Sequence, residues 1–314
     1  MLYRLLVILL GTVLAVCAWA DTLRINQIQF VGSHNSYKKA MSLHHVALLK
    51  LTNPEAARSL DYEHLPIAEQ LELGMRVLEI DLFYLPDVQQ FKVGHVQVID
   101  MNSHCDFLND CIDQIKAWSE DNPRHIPIWL MFNLKDQKIE SLPDPAPFNR
   151  DTLELLDTQF EHLLGPRLIR PSDVVDLNWP TLDASRGKFL LLLDEGGTKR
   201  ESYLTLEQRV MFTNGPAGDP NAQILVLNDP HQSFGQIQNL VRQGYMVRTR
   251  ADADTVEARA GDVSRRDAAF ASGAQAVSTD YYLPSEHFGT HYQVTLPNSV
   301  RCNPVNGPED CPLD

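Results

Sequence analysis

Two histidines with carboxylates strung between them are the residues of this chain best suited to chemistry. His34 and Asn35 close one apolar run, Glu79 and Asp81 stand at i and i+2 in a second, and His95 ends a third. Alternate residues of a β-strand face the same side, so Glu79 and Asp81 present two carboxylates together while Ile80 packs away from them. Oxygen ligands of this kind suit Ca²⁺ or Mg²⁺ rather than a thiolate metal, and paired imidazoles suit acid–base work on a phosphate ester. The chemistry implied is metal-assisted phosphodiester cleavage.

The elements that must position these groups recur along the whole chain. Strand-like apolar runs fall at Gln27 to Ser33, Arg76 to Leu82, Phe91 to Gly94, Ile126 to Leu134, Lys188 to Leu193, Ala222 to Leu227, Tyr245 to Thr249 and Ala274 to Thr279. Most lack the alternation of a half-exposed sheet and read as strands buried on both faces. Helical patterns lie between them at Pro66 to Leu73, Cys111 to Glu120, Thr152 to Leu164, Gln236 to Gln243 and Arg265 to Ser272. Alternation of this kind predicts an α/β fold. Eight units suggest an irregular (β/α)₈ barrel of TIM type in a single domain, its first and third connections lacking one clear helix.

A barrel requires polar residues where strands end, because catalytic groups sit on its C-terminal rim. The strand ends carry His34 and Asn35, Glu79 and Asp81, His95, Asn133 and Lys135, Asp194 and Glu195, Asn228 and Asp229, Arg248 and Arg250, and Asp280. An open doubly wound sheet would place polar groups similarly, but no GxGxxG or phosphate-loop motif supports it. Leu142 to Phe148 and Thr213 to Asn221 read as surface loops over the rim.

Composition narrows the setting. A short basic start, the apolar stretch Leu5 to Val16 and Ala18-Trp19-Ala20 read as a secretory signal peptide over residues 1–20. Val16 before Cys17 is a poor match to a lipoprotein signal. No later run approaches the roughly 20 apolar residues a membrane span needs, so the mature chain is expected to be exported, periplasmic or secreted, with no transmembrane segment. Cys105 and Cys111, and Cys302 and Cys311, form two close pairs. In an exported chain these suggest disulfides, with local loops the simplest of three connectivities and spacings that fit zinc badly. The expected catalytic barrel spans residues 21–283, followed by an extension over 284–314 that a disulfide would tie down. A formal net charge of -14 argues against nucleic acid and against unaided adsorption to an anionic membrane, and no protein partner is implied.

The motifs in their order resemble the phosphatidylinositol-specific phospholipase C superfamily, in particular its exported bacterial group described as calcium-dependent phospholipase C1-like. The residues carrying the resemblance are Gly32-Ser33-His34-Asn35-Ser36-Tyr37, Glu69 to Gly74 leading into Arg76 to Asp81, His95-Val96, Lys135-Asp136, Gly244 to Asp252, Ser264 to Asp267 and Ser278-Thr279-Asp280. They span nearly the whole mature chain.

The resemblance implies a distorted (β/α)₈ barrel in which Ca²⁺ helps the inositol 2-hydroxyl attack the adjacent phosphodiester, releasing diacylglycerol and an inositol phosphate at a membrane surface. It assigns His34 to the phosphoryl oxygens and His95 to protonating the departing diacylglycerol oxygen. Asn35, Glu79, Asp81 and Asn133 would bind calcium, with Glu79 also the general base. Lys135, Arg248 and Arg250 would contact phosphate or inositol hydroxyls, or counter rim carboxylates, while Asp194, Glu195 and Asp280 would act as ligands or supporting partners. His64 and His104, like the other histidines, have no comparable setting and are expected to pack or face solvent. One position departs from the pattern: where relatives carry Glu-x-Lys-Asp, this chain reads Asn133-Leu134-Lys135-Asp136. An amide oxygen can ligate calcium but brings no charge and cannot act as a base. The rival readings are a glycerophosphodiester phosphodiesterase or sphingomyelinase-D-like enzyme, whose first strand more often ends in His-Arg-Gly, and a weakly catalytic barrel that binds phosphoesters.

Overall fold

A computed structural model describes residues 23–311 and 313; the expected signal peptide and Cys17 lie outside the described residues. The strands are β1 (Ile28–Ser33), β2 (Val77–Leu85), β3 (Gln90–Val93), β4 (Ile128–Leu134), β5 (Leu168–Ile169), β6 (Phe189–Leu193), β7 (Met211–Thr213), β8 (Ile224–Val226), β9 (Met246–Arg250), β10 (Ala276–Thr279) and β11 (Val300–Cys302). The helices are α1 (Leu43–Thr52), α2 (Pro54–Ser59), α3 (Ile67–Glu72), α4 (Leu108–Asp121), α5 (Arg150–Leu164), α6 (Leu182–Ser185), α7 (Gly197–Leu204), α8 (Phe234–Arg242), α9 (Val256–Ala260) and α10 (Ser264–Ser272).

Parallel pairing runs β8-β9-β10-β1-β2-β4-β6-β7. The two ends of this sheet meet through one bridge, Asn214 to Ile224, where Asn214 Oδ1 also accepts the Val226 amide at 3.1 Å. The result is an α/β barrel of eight strands, as expected, but two elements differ from the sequence reading. The run Phe91 to Gly94 is no barrel strand: β3 returns antiparallel along β2, pairing Leu82 with Val93. The eighth place belongs to β7, whose three residues are too few for any periodic pattern to reveal.

The inward face of the barrel changes character along each strand. Its N-terminal layers are Phe30, Val77, Trp129, Met131, Leu190, Leu192, Phe212, Ile224, Met246 and Ala276, which form one buried apolar cluster. Because strand side chains alternate, the same face continues upward into His34, Glu79 and Asp81, Asn133, Asp194, Asn214, Asn228, Arg248 and Arg250, Ser278 and Asp280. Opposite parity puts Val31, Leu78, Ile80, Leu130, Phe132, Leu191 and Val277 outward under the helices. There α5, capped by Asn149 accepting the Thr152 amide at 3.0 Å, buries Leu153, Leu156, Phe160 and Leu164, the spacing of one helical face. Gly32 is where β1 and β2 approach closest: a Cβ there would lie 2.2 Å from Val77 Cβ, so only glycine allows the contact.

The C-terminal segment is woven into the barrel. β11 pairs antiparallel with β1, Ile28 opposite Cys302, while Tyr292, Val294 and Leu296 join the outer core. Both local disulfides form, Cys105 with Cys111 and Cys302 with Cys311.

Candidate active site

The turn after β1 is held from two sides. The Ser36 amide donates to the Glu79 carbonyl at 2.9 Å and Ser36 Oγ accepts the Glu79 amide at 2.8 Å. Gln70 of α3 accepts from Ser33 Oγ at 2.5 Å and donates to the Ser36 carbonyl at 2.7 Å. Between these anchors Asn35 takes a left-handed backbone, φ 50°, a conformation asparagine tolerates. His34 is thereby aimed over the barrel mouth.

His34 Nδ1 lies 2.9 Å from Asp280 Oδ1. A carboxylate accepts only, so Nδ1 carries the proton and Nε2 is the open acceptor, 3.9 Å from Glu79 Oε1. Burial, with the charge of Arg250 adding to it, lowers His34 well below the usual histidine value. Asp280 is ion-paired to Arg250 at 3.3 Å and sits beside Asp252, which meets only neutral donors, among them the Asp280 amide at 2.8 Å and Tyr292 Oη at 3.3 Å. Burial and the neighbouring Asp280 push Asp252 up to about 7, and burial raises Asp280 as well, against the pull of Arg250.

Glu79 and Asp81 share the inward face of β2, as the alternation requires. Glu79 Oε2 is paired with Arg248 at 2.6 Å and Oε1 accepts from Asn133 Nδ2 at 2.9 Å; burial would raise its pKa, but Arg248 and His34 outweigh it and the net shift is downward. Asp81 Oδ2 accepts from Lys135 at 2.9 Å and from the Tyr37 hydroxyl at 2.9 Å. Its pKa is raised by burial despite Lys135, and its Oδ1 is buried with no hydrogen-bond partner. Asn35 spends its amide nitrogen on the Tyr62 hydroxyl at 2.8 Å. The side-chain oxygens of Asn35 and Asn133, with the orphaned Asp81 oxygen and Glu79, are the donor types a hard cation takes. Among the described residues no three His, Cys, Asp or Glu side chains are grouped as a metal site, so a cation here must draw on the two amides as well.

His95 arrives by the β2–β3 hairpin, the Gly94 amide donating to the Asp81 carbonyl at 3.3 Å. Its Nδ1 faces Asp100 Oδ2 at 3.1 Å. The Gly94 bond brings the end of β3 that leads into His95 to the part of β2 that carries Asp81, the strand whose Glu79 faces His34. Each imidazole has its own aspartate.

Some placements differ from expectation. Arg248 is not on the rim: it is 2% exposed and spends its guanidinium on Ser278 Oγ at 3.0 Å, Asn228 and Glu79, a strut beneath the acidic pair. Asp194, raised to about 6 by burial, accepts from Asn214 at 3.0 Å, while Glu195 turns away to Lys199 at 2.7 Å. His64 is no surface residue. Its Nε2 donates to the His34 carbonyl at 2.7 Å, burial lowers it to about 4, and His104 Nε2 in turn donates to the His64 carbonyl at 2.7 Å. Asp100, Lys38 and Tyr62 also belong to the site, and the signals that could have pointed to them are the nearness of Lys38 to the His34 motif and of Asp100 to His95.

Comparison with known proteins agrees with the barrel fold. The fold is similar to a Ca²⁺-dependent phosphatidylinositol-specific phospholipase C from Streptomyces antibioticus (17% identity over 87% of this chain and 99% of that one, TM-score 0.58). It is also similar to a calcium-dependent phosphoinositol-specific phospholipase C from Pseudomonas sp (16%, 90% and 96%, TM-score 0.60) and to the phosphatidylinositol-specific phospholipase C of Listeria monocytogenes (14%, 87% and 94%, TM-score 0.54). No curated protein matches. Residues 23–87 and 86–304 match the family described as phosphoinositide phospholipase C, Ca²⁺-dependent, and with the match running across nearly all of the barrel the chain belongs to that family of calcium-dependent phosphoinositide phospholipases C.

Proposed function

We propose that this protein cleaves phosphatidylinositol-type phospholipid with the help of calcium, by attack of the inositol 2-hydroxyl on the neighbouring phosphorus. The observation that carries the reading is a pair of imidazoles, each backed by its own aspartate, one facing Glu79 and the other following Gly94, whose amide is bonded to the Asp81 carbonyl. Asn35, Glu79, Asp81 and Asn133 would hold the calcium, which supplies charge to lower the pKa of the 2-hydroxyl and to neutralise the phosphoryl oxygens as negative charge builds there.

Of the two groups that could take the 2-hydroxyl proton, Arg248 weakens one. Glu79, ion-paired and lowered, is a poor base and serves better as a ligand. His34, kept neutral by burial and held at Nδ1 by Asp280, offers Nε2 as acceptor. As the phosphorus–glycerol oxygen bond breaks, His95 gives its Nε2 proton to the departing oxygen. Lys135 and Arg250, the cations closest to the mouth, would meet phosphate or inositol hydroxyls.

A lipid surface as the place of action has support in α1. Leu43 and Leu51 are 88% and 85% exposed, and no Asp or Glu stands between Asp21 and Glu55, in a chain otherwise strongly acidic. This apolar, acid-free segment follows His34 directly and suits an anionic inositol lipid. No described helix is long and apolar enough to cross a membrane. Export after removal of residues 1–20 fits the two disulfides, with residues 21–283 as the barrel and 284–314 its tied extension. The decisive experiment is release of diacylglycerol from phosphatidylinositol by the mature chain, with calcium present and then chelated. His34→Ala or His95→Ala should each cost at least ~10²-fold in kcat with the fold retained. Near-normal turnover in either variant, or turnover of glycerophosphocholine in preference, would overturn the assignment.

A further inference from the structure

We propose that Lys38 is a positioning residue for His95, acting through Asp100. The inference rests on the reading of His95 as the acid of the reaction. Lys38 is fully buried, a rare place for an ammonium group, and its Nζ donates to Asp100 Oδ1 at 2.9 Å. The other oxygen of the same carboxylate faces His95 Nδ1 at 3.1 Å. Asp100 holds His95 by its backbone too, its carbonyl accepting the amides of His95 and Val96 at 3.0 and 3.2 Å. Ring and main chain of His95 are therefore both set by one residue, and that residue is set by Lys38.

The lysine is itself fixed to the first histidine. Its amide donates to the Asn35 carbonyl and its carbonyl accepts the His64 amide, both at 2.9 Å. Its ammonium lies 5.1 Å from the centre of the Tyr62 ring, whose hydroxyl is 3.4 Å from His34 Nδ1. The loop bearing Asp100 is joined to the same segment through the bridge from Lys38 to Ser103 and by the Lys39 amide donating to the Asn102 carbonyl at 3.1 Å. A continuous buried path thus runs from one imidazole to the other. Stability does not explain it, because a buried ion pair is generally matched or bettered by apolar residues of the same size; a methionine would fill the space. What the charge adds is direction: it fixes one carboxylate oxygen so that the other can point the imidazole at the leaving group.

In the step concerned, the inositol 2-oxygen bonds to phosphorus, the phosphorus–glycerol oxygen bond breaks with its electron pair on the glycerol oxygen, and that oxygen takes the proton from His95 Nε2. An aryl ester of inositol phosphate loses a stable phenolate that needs no proton, so it reports on the site without calling on the acid. Lys38→Met should lower kcat on phosphatidylinositol by ~10²-fold, exceeding its loss on the 4-nitrophenyl ester by at least ~10-fold, and His95→Ala measured in parallel should show the same selectivity. Equal losses on both substrates in Lys38→Met, or none, while His95→Ala remains selective, would overturn the role of Lys38 and leave the proposed reaction standing. Equal losses in His95→Ala would overturn the reading of His95 as acid and the inference with it. Should Lys38→Met not fold, the double variant Lys38→Met with Asp100→Asn, which removes both buried charges, is compared with Asp100→Asn alone: losses that are equal in the two variants on both substrates support action through Asp100, and a further loss in the double variant overturns it.

Discussion

At the scale of single residues the site is a set of charges that fix one another's protonation. Arg248 draws Glu79 toward its ionised form, Arg250 does the same for Asp280 against burial, and burial with Arg250 draws His34 toward its neutral form. Because protonation of His34 would remove the base, and its pKa is lowered, activity should persist as the medium is acidified: the acid limb of kcat/KM should fall below the ~6.5 of a free histidine. A limb above that value would mean that His34 is not the base. The candidate site residues were legible because their signal is local. His34, Glu79, Asp81 and Asn133 end apolar runs, and alternation puts Glu79 and Asp81 on one face; that Asn133 joins them depends on its pairing opposite Asp81. Tyr62 and His64 were not legible, since each is defined by a partner 28 or 30 positions away, a relation that neither spacing nor periodicity encodes; Asp100, five residues after His95, was within reach of a local reading but closes a turn with no pattern to mark it.

At the scale of elements, length decided what could be read. The long runs β2 and β4 and the amphipathic α5 announce themselves, whereas β7 offers three residues and completes the barrel through an asparagine side chain. The run Phe91 to Gly94 has the composition of a buried strand, and only its pairing distinguishes a hairpin arm from a barrel stave. Helix α1 carries no clear amphipathic stripe, and its leucines were unreadable as a face. Three of them are exposed, Leu43 and Leu51 most fully and Leu48 less so. Replacing Leu43 and Leu51 together by serine should weaken partition onto vesicles containing phosphatidylinositol by on the order of 10²-fold, from roughly 1.5 kcal/mol per leucine, while turnover of a soluble inositol phosphate ester changes less than about twofold. Co-sedimentation with vesicles measures the first; an equal drop on the soluble ester would show that α1 shapes the site instead.

At the scale of the whole molecule, one buried acid outside the site links stability to pH. Asp157 of α5, 6% exposed, accepts from the Tyr203 hydroxyl at 2.9 Å and the Val210 amide at 3.1 Å, yet burial raises it to about 7. The folded chain keeps this proton where the unfolded chain has lost it, so the contribution is complete below about 3.8 and declines as pH rises through about 7. Asp157→Asn should flatten that decline, raising the melting temperature relative to the parent more at pH 8 than at pH 4; an unchanged slope would place the proton elsewhere.

The joining of the last strand to the first has a consequence for how the chain comes into being. β1, which ends in His34, finds its neighbours in β2, β10 and β11, and two of those three are made at the far end of synthesis. A chain emerging amino end first therefore carries its catalytic strand half-partnered until almost everything has followed, and the hydrolytic machinery stays unassembled for that whole interval.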